Sequence, residues 1–142
     1  MRAAIVACAL LLLGHLAAAD GGFVVVKNAR TPTAALALAE AKAVFSGRTK
    51  SWANGEPIVL VIGSEDSPAM HWLADTLFHV PTKTLLAKIK QDVFHGDVLH
   101  PLSADDDAKT VARILSGPGV VGLVSDAGAR ALPAGVAIVP VR

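Results

Sequence analysis

Short runs of apolar and β-branched residues alternate with longer amphipathic stretches along this chain. The runs at 23–27 (FVVVK), 57–62 (PIVLVI), 120–124 and 136–141 have the length and composition of buried strands. A further short strand is predicted at 98–102. Strands that alternate with helix-length stretches are typical of a single α/β domain, with a sheet covered by helices.

Helices are predicted between these strands because each stretch begins at a residue that commonly caps a helix. The predicted helices and their N-caps are 34–44 (Thr31 or Thr33), 69–80 (Ser67), 82–94 (Thr82) and 104–115 (Ser103). Pro68 suits the first turn of the second helix. Asp105–Asp107 fall in the first turn of the last helix, where the helix dipole favours negative charge.

The first 19 residues have the pattern of a targeting segment. Arg2 precedes an apolar run at 3–13, and small residues at 17–19 come before Asp20. This pattern predicts a secretory signal peptide cleaved after Ala19, since the apolar run is shorter than the ~20 residues of a membrane span. An alternative is a lipoprotein acylated at Cys8, which would leave a much shorter apolar region before the cysteine.

The mature chain would be close to electrically neutral. The whole sequence has 13 Lys and Arg residues and 12 Asp and Glu residues, and Arg2 leaves with the signal peptide. Neutrality argues against nucleic-acid binding, which needs a basic surplus on one face. Cys8 is the one cysteine and leaves as well, so the sequence predicts neither a disulfide framework nor a thiolate nucleophile.

The sequence offers little support for catalysis, metal binding or a cofactor. It contains no G-x-S-x-G, dinucleotide or P-loop motif, so we predict that the protein is not an enzyme and needs no cofactor. His71 and His79 are eight residues apart, whereas a helical metal pair is four apart. Asp105–Asp107 are consecutive helical residues that point in three directions, so they do not predict a cation site.

Four segments match one known family in order and spacing. They are 43–55 (AVFSGRTKSWANG), 58–78 (IVLVIGSEDSPAMHWLADTLF), 93–96 (VFHG) and 117–124 (GPGVVGLV). They are similar to the tryptophan loop, the strand with its anion loop and helix, the F-x-G segment and the PG-a-IGYv segment of that family. Over residues 23–125 the chain therefore resembles the phosphate-type periplasmic substrate-binding proteins.

The resemblance implies a single lobe of a periplasmic-binding-protein-like fold over residues 20–142, with a mixed sheet flanked by helices. Members of this family have two lobes that close on an anion, and the matching segments belong to the second lobe. The family implies phosphate or another small oxyanion as ligand, a periplasmic location after export across the inner membrane, and a membrane transport or envelope complex as partner. A homodimer would supply the missing lobe.

The anion loop departs from the family pattern Arg-x-x-Gly-Ser-Gly-Thr. In those positions this chain has Gly63, Asp66, Ser67, Pro68 and Ala69, so only the serine carries over. The loop therefore lacks a guanidinium for bidentate contact and loses one backbone N–H. A carboxylate ~4 Å away opposes an anion by about 4 kcal/mol at an effective dielectric near 20, the binding free energy of a millimolar ligand.

Five residues remain as candidates for contact with a ligand or partner. Ser64, Ser67 and Ala69 are candidate ligand residues of the loop. Ser67 is also explained as a plain N-cap worth about 1 kcal/mol, and the cap and a ligand contact do not exclude each other. Trp52 has two interpretations. It either fills the edge of the core or forms an exposed anchor for a protein partner, with Arg48 on the rim.

Two hypotheses about function follow. The first is a solute-binding-like protein that binds an oxyanion weakly or with a second chain. The second is a periplasmic interaction or adaptor domain that keeps the fold and has lost the ligand. A ligand-binding protein should bring Ser64, Ser67 and free N–H groups to an open cleft, whereas in an adaptor the loop should be closed or acidic.

Overall fold

The computed structural model describes residues 22–142, so the predicted signal peptide lies outside the described residues. The described part forms a five-stranded mixed sheet with helices on both faces, as the sequence predicts for the fold class. No helix within this part is long and apolar enough to cross a membrane. The strands are β1 (Phe23–Asn28), β2 (Val59–Ile62), β3 (Leu102–Ser103), β4 (Val120–Ser125) and β5 (Val136–Val139).

The sheet has the strand order β3-β2-β4-β1-β5. Strand β2 runs parallel to both β3 and β4, whereas β1 is antiparallel to β4 and β5. Val25 lies opposite Leu123 on one side and Val139 on the other. Because side chains alternate along a strand, Val25 and Val26 face opposite sides of the sheet, and both are buried. Helices therefore cover the middle of the sheet on both faces.

Five helices supply the outer layers of the described part. Phe45, Leu73 and Ile89 belong to the same core as Val25, so the first three helices cover that face. Ile114 belongs to the second core, on the other face of the sheet. The helices are α1 (Leu38–Phe45), α2 (Pro68–Trp72, continued by a π-helical segment Leu73–Phe78), α3 (Thr82–Phe94), α4 (Asp107–Leu115) and α5 (Asp126–Ala129).

The first helix begins later than predicted. Leu36 is extended and forms a bridge with Val141, so α1 begins at Leu38 with Ala37 as its N-cap. Neither predicted threonine caps it. The Thr31 hydroxyl instead accepts a hydrogen bond from the N–H of Gly119, 88 residues away in the sequence, at 3.0 Å. A tertiary partner has therefore replaced the predicted local cap.

The bounds of other elements also differ from the prediction. The helix α4 begins at Asp107, and its N-cap is Asp106, whose carboxylate accepts from the N–H of Lys109 at 2.8 Å. Ser103, the predicted cap, is the last residue of β3, which is shorter than predicted. The second helix ends at Phe78 because His79 adopts a left-handed conformation with φ of 52°.

Candidate functional site

The loop that joins β2 to α2 lies at the carboxyl ends of the parallel strands β2 and β3. Ligands of open α/β sheets bind at this edge. The backbone N–H of Ser64 donates to a carboxylate oxygen of Asp105 at 2.8 Å, and the N–H of Ser67 donates to the carbonyl of Ser64 at 3.0 Å. A carboxylate of the chain itself thus occupies one backbone N–H donor of this loop.

The Ser67 side chain is buried, with 3% of its surface exposed, and its hydroxyl has no hydrogen-bond partner. It occupies the N-cap position of α2 without making the predicted side-chain cap bond. A buried hydroxyl left without a partner costs about 1–3 kcal/mol. Ser67 is therefore the one buried side chain in the described residues whose polar atom is unsatisfied.

The packing of Ser67 also explains why position 63 is a glycine. A Cβ atom at Gly63 would lie 2.5 Å from the Ser67 hydroxyl and 3.1 Å from the carbonyl oxygen of Ala104. Real Cβ atoms essentially never approach a neighbour within 3.0 Å. Since the family pattern has an arginine at this position, the loop in this chain could accept that side chain only by repacking Ser67.

A depression of about 310 Å³ beside the loop is acidic. Ser67 and Ala69 line it, together with Asp105, Asp106 and Asp107, and no basic side chain does so. Ser64 does not line it. Asp105 and Asp106 precede α4 and Asp107 is its first residue, so three acidic residues line this space where α4 begins, and their charges disfavour a bound anion there.

Each of the three aspartates has its own structural partner. Asp105 holds Ser64, and Asp106 caps α4. Asp107 accepts from both the N–H, at 2.9 Å, and the hydroxyl of Ser125. The carboxylates therefore join the loop, α4 and the end of β4, which is a more specific role than the dipole interaction that the sequence predicts.

The contact between Asp107 and Ser125 extends to a short helix that the sequence does not predict. The Ser125 hydroxyl also accepts from the N–H of Gly128 at 3.0 Å, which caps α5. A Cβ at Gly128 would lie 2.4 Å from a carboxylate oxygen of Asp107. The glycine at position 128 is the one feature of the sequence that indicates how closely this backbone lies to the Asp107 carboxylate.

Trp52 lies in the core and is 6% exposed. Its indole N–H donates to the carbonyl of Gly119 at 3.0 Å, and the N–H of Gly119 donates to the Thr31 hydroxyl. This burial fits the interpretation of Trp52 as part of the core, and it does not fit an exposed anchor. Arg48 is exposed on the loop after α1, but it does not form a rim around an exposed indole.

Lys27 is a buried charged residue beside this network. It is 8% exposed, and its ammonium donates to the carbonyl of Thr31. Burial removes water from the ammonium and lowers the pKa of Lys27 from its usual value of 10.5. Sequence reasoning does not single out this residue, since a lysine at the end of a strand is usually exposed.

The two histidines of the second helix are His71, within it, and His79, at its C-cap. His71 contacts the hydroxyl of Thr82 through its Nδ1 atom at 2.9 Å. Across residues 22–142, no three histidine, cysteine, aspartate or glutamate side chains are grouped as they would be around a metal ion.

Several solved structures share the fold of this chain. They include an ABC-type phosphate transport receptor from Vibrio cholerae (TM-score 0.65, 13% identity), PstS from Borrelia burgdorferi (0.66, 11%) and a possible phosphate binding protein from Planctomyces limnophilus DSM 3776 (0.63, 14%). The alignments cover 85%, 86% and 86% of this chain. No family model and no curated protein matches the sequence.

The chain spans less than half the length of these structures, covering 46%, 47% and 42% of them respectively. At such low identities the likeness shows the fold and not the ligand. The fold is therefore that of a single lobe of a periplasmic binding protein.

Proposed function

We propose that this chain is an exported, single-lobe relative of the solute-binding proteins that acts through contacts with a partner protein and does not bind phosphate by itself. One observation carries the proposal: the carboxylate of Asp105 holds the N–H of Ser64 in the loop that would bind the anion. The fold likeness to phosphate transport receptors supports the relationship, and the acidic depression supports the loss of the ligand.

The electrostatic argument is direct. A phosphate beside Ser67 would meet the carboxylates of Asp105, Asp106 and Asp107, which line the same depression. One such charge ~4 Å away opposes the anion by about 4 kcal/mol at an effective dielectric near 20. Gly63 provides no guanidinium to offset this repulsion. Even one carboxylate therefore offsets the binding free energy of a millimolar ligand, which is ~4 kcal/mol.

Calorimetric titration of residues 20–142 with phosphate at low ionic strength, repeated with sulfate, tests this proposal. We expect no saturable heat at millimolar anion. As a matched variant, Asp105→Ala removes one charge and frees the Ser64 N–H, so any binding should be stronger in this variant than in the natural sequence. Saturable binding at or below ~10 μM that is lost in Ser67→Ala would contradict the proposal.

The proposal includes export into the periplasm and an association with a membrane transport or envelope complex. The pattern of residues 1–19 supports export, because its charged start, apolar run and small residues before Asp20 are those of a signal peptide. When the full chain is expressed in a Gram-negative host, we expect it in the periplasmic fraction with Asp20 as its first residue. Recovery of the uncleaved chain from the cytoplasm would contradict this part.

A second candidate function is an oxyanion site completed by another chain. The unsatisfied hydroxyl of Ser67 favours it, because a ligand or partner that donates or accepts there would remove the cost of its burial. Sedimentation measurements distinguish the two candidates. A dimer that forms only with phosphate would support the second, and a monomer with and without phosphate would support the first.

A further inference from the structure

The helix α3 has an exposed stripe of residues on one face. Lys83, Ala87, Lys90 and Phe94 follow the i, i+4, i+7 and i+11 spacing of one helix face, and all four are exposed. Phe94 is 87% exposed, whereas the next most exposed large apolar residue of the described part, Leu99, is 51% exposed. Burying a phenylalanine side chain contributes ~1.5–3 kcal/mol, so a partner that covers Phe94 would gain binding free energy of this size.

Two depressions lie beside the stripe. They have volumes of about 570 and 400 Å³, and both are lined by Leu86 and Lys90. Ile89 and Val93 add apolar walls to the smaller one, which reaches the loop at Gly63. The surface is therefore concave and largely apolar, and it adjoins the sheet edge where ligands of this type of fold bind.

The charge of this surface is positive. Lys88 is paired with Asp92 at 2.7 Å, and the other ion pair within residues 22–142 joins Lys50 and Asp97. Lys83 and Lys90 have no such partner, and with Glu65 they are the charged residues that line the larger depression, two positive and one negative. A complementary surface must bring carboxylates to these two ammonium groups and an apolar pocket to Phe94.

We propose that the stripe and its two depressions form a docking surface for an acidic amphipathic helix of a partner protein. The small side chain of Ala87 lets a helix approach closely, and the flanking lysines select carboxylates on its polar margin. This inference rests on the proposed function, since it names the kind of partner that such a domain would bind.

An anionic membrane is a poorer occupant. Each lysine at a bilayer surface is worth about 1 kcal/mol, so two lysines and one phenylalanine would bind weakly. A flat bilayer surface would also leave the two depressions unfilled. A helix fills a concave apolar surface with side chains at i, i+3, i+4 and i+7.

The test uses a synthetic helix of about 15 residues with leucine at helical spacing and glutamate between, titrated into residues 20–142. We expect amide resonances of Ala87, Lys90 and Phe94 to shift, and the dissociation constant to rise at least tenfold in Phe94→Ser and in the double variant Lys83→Glu/Lys90→Glu. The melting temperature should not change, because these side chains are exposed. Leu115→Ser, an exposed leucine on α4, is the matched control.

Four outcomes would overturn the proposal. The first two are that the peptide does not bind, or that the shifted resonances belong to another face of the protein. The third is that a peptide with lysine in place of glutamate binds equally well. The fourth is that Phe94→Ser still binds the peptide but loses self-association or binding to anionic vesicles. The phosphate titration keeps the two proposals apart. Tight phosphate binding would overturn the proposed function, whereas failure of the peptide alone would overturn only this docking surface.

Discussion

The Trp52 region and the Ser67 loop differ in how their buried polar groups are paired. The carbonyl of Gly119 accepts from both the Trp52 indole and the N–H of Val59, and the Gly119 N–H donates to Thr31. In the loop, by contrast, the Ser67 hydroxyl has no partner. Each region contains a residue that the sequence singles out as a functional candidate.

The difference shows which of the two residues is accounted for by contacts within the fold. Buried polar groups paired within the chain stabilise the fold and need no ligand to explain them. An unsatisfied buried group needs an explanation, because it has a cost that the fold itself does not offset. Trp52 is therefore explained by the core, whereas the contacts of the fold do not account for the buried hydroxyl of Ser67.

The largest expected effect comes from Trp52→Ala, which should lower the free energy of unfolding by ~3–5 kcal/mol because it leaves a large cavity in the core. Chemical denaturation measures the loss. Trp52→Phe keeps most of the packing and removes the hydrogen bond to Gly119, and should cost less. An alanine variant as stable as the natural chain would place Trp52 on the surface instead.

A smaller effect is expected from Gly119→Ala. Gly119 has a φ of 85°, and a Cβ there would lie 2.4 Å from the carbonyl oxygen of Pro57. Gly55 has a φ of 86° with no atom within 4 Å of its Cβ position, so Gly55→Ala has the same backbone strain without the contact. We expect denaturation to show Gly119→Ala as less stable than Gly55→Ala by about 2 kcal/mol. Equal decreases in the free energy of unfolding for the two variants would mean that Gly119 and the Pro57 carbonyl are loosely packed.

Lys27, which lies beside the hydrogen bonds of the Trp52 region, should make the stability of the fold depend on pH. Because burial lowers its folded pKa, the folded state releases its proton before the unfolded state does. Below the lowered pKa of the folded state, Lys27 is charged in both states and the full cost of its burial is present. The free energy of unfolding therefore rises as the pH increases from this lowered pKa toward 10.5. Lys27→Met should be more stable than the natural chain by up to about 1 kcal/mol at pH 7, and the difference should shrink at high pH. A difference that does not depend on pH would contradict this account.

The smallest effect is expected from Ser67→Ala, which removes the unsatisfied hydroxyl. The variant should be as stable as the natural chain or more stable by up to ~1 kcal/mol, because no hydrogen bond is lost. Thr31→Ala is the comparison in the other region, since it leaves the Gly119 N–H without its partner and should destabilise. A destabilised Ser67→Ala would mean that the hydroxyl has a partner in solution.

Much of the sheet is predictable because its strands are continuous runs of β-branched residues. The run at 23–27 and the helix from Thr82 to Phe94 are found in the structure almost as predicted, although Pro81 is the N-cap and Thr82, the predicted cap, is the first helical residue. Local sequence patterns do not predict the secondary structure of a residue whose conformation is set by a contact with a residue far away in the sequence. Leu36 is helical by composition, yet it pairs with Val141 near the end of the chain.

The candidate site is predictable in its residues but not in its contacts. The sequence shows a loop before Ser67 that contains Glu65 and Asp66 and no basic residue. It does not show the hydrogen bond from Ser64 to Asp105, because these residues are 41 positions apart. Ser103, Asp105 and Asp106 are all suitable N-caps by residue type, so only the structure shows that Asp106 caps the helix and leaves Asp105 to the loop.

The Ser64 amide resonance during a phosphate titration of residues 20–142 tests the central claim most directly, because that N–H is the donor held by Asp105. We predict that it does not move at millimolar phosphate in the natural sequence, and that its chemical shift changes on substitution of Asp105 by alanine even without phosphate. A saturable shift of the Ser64 amide in the natural sequence at micromolar phosphate would show that the loop is a working anion site and would contradict the account.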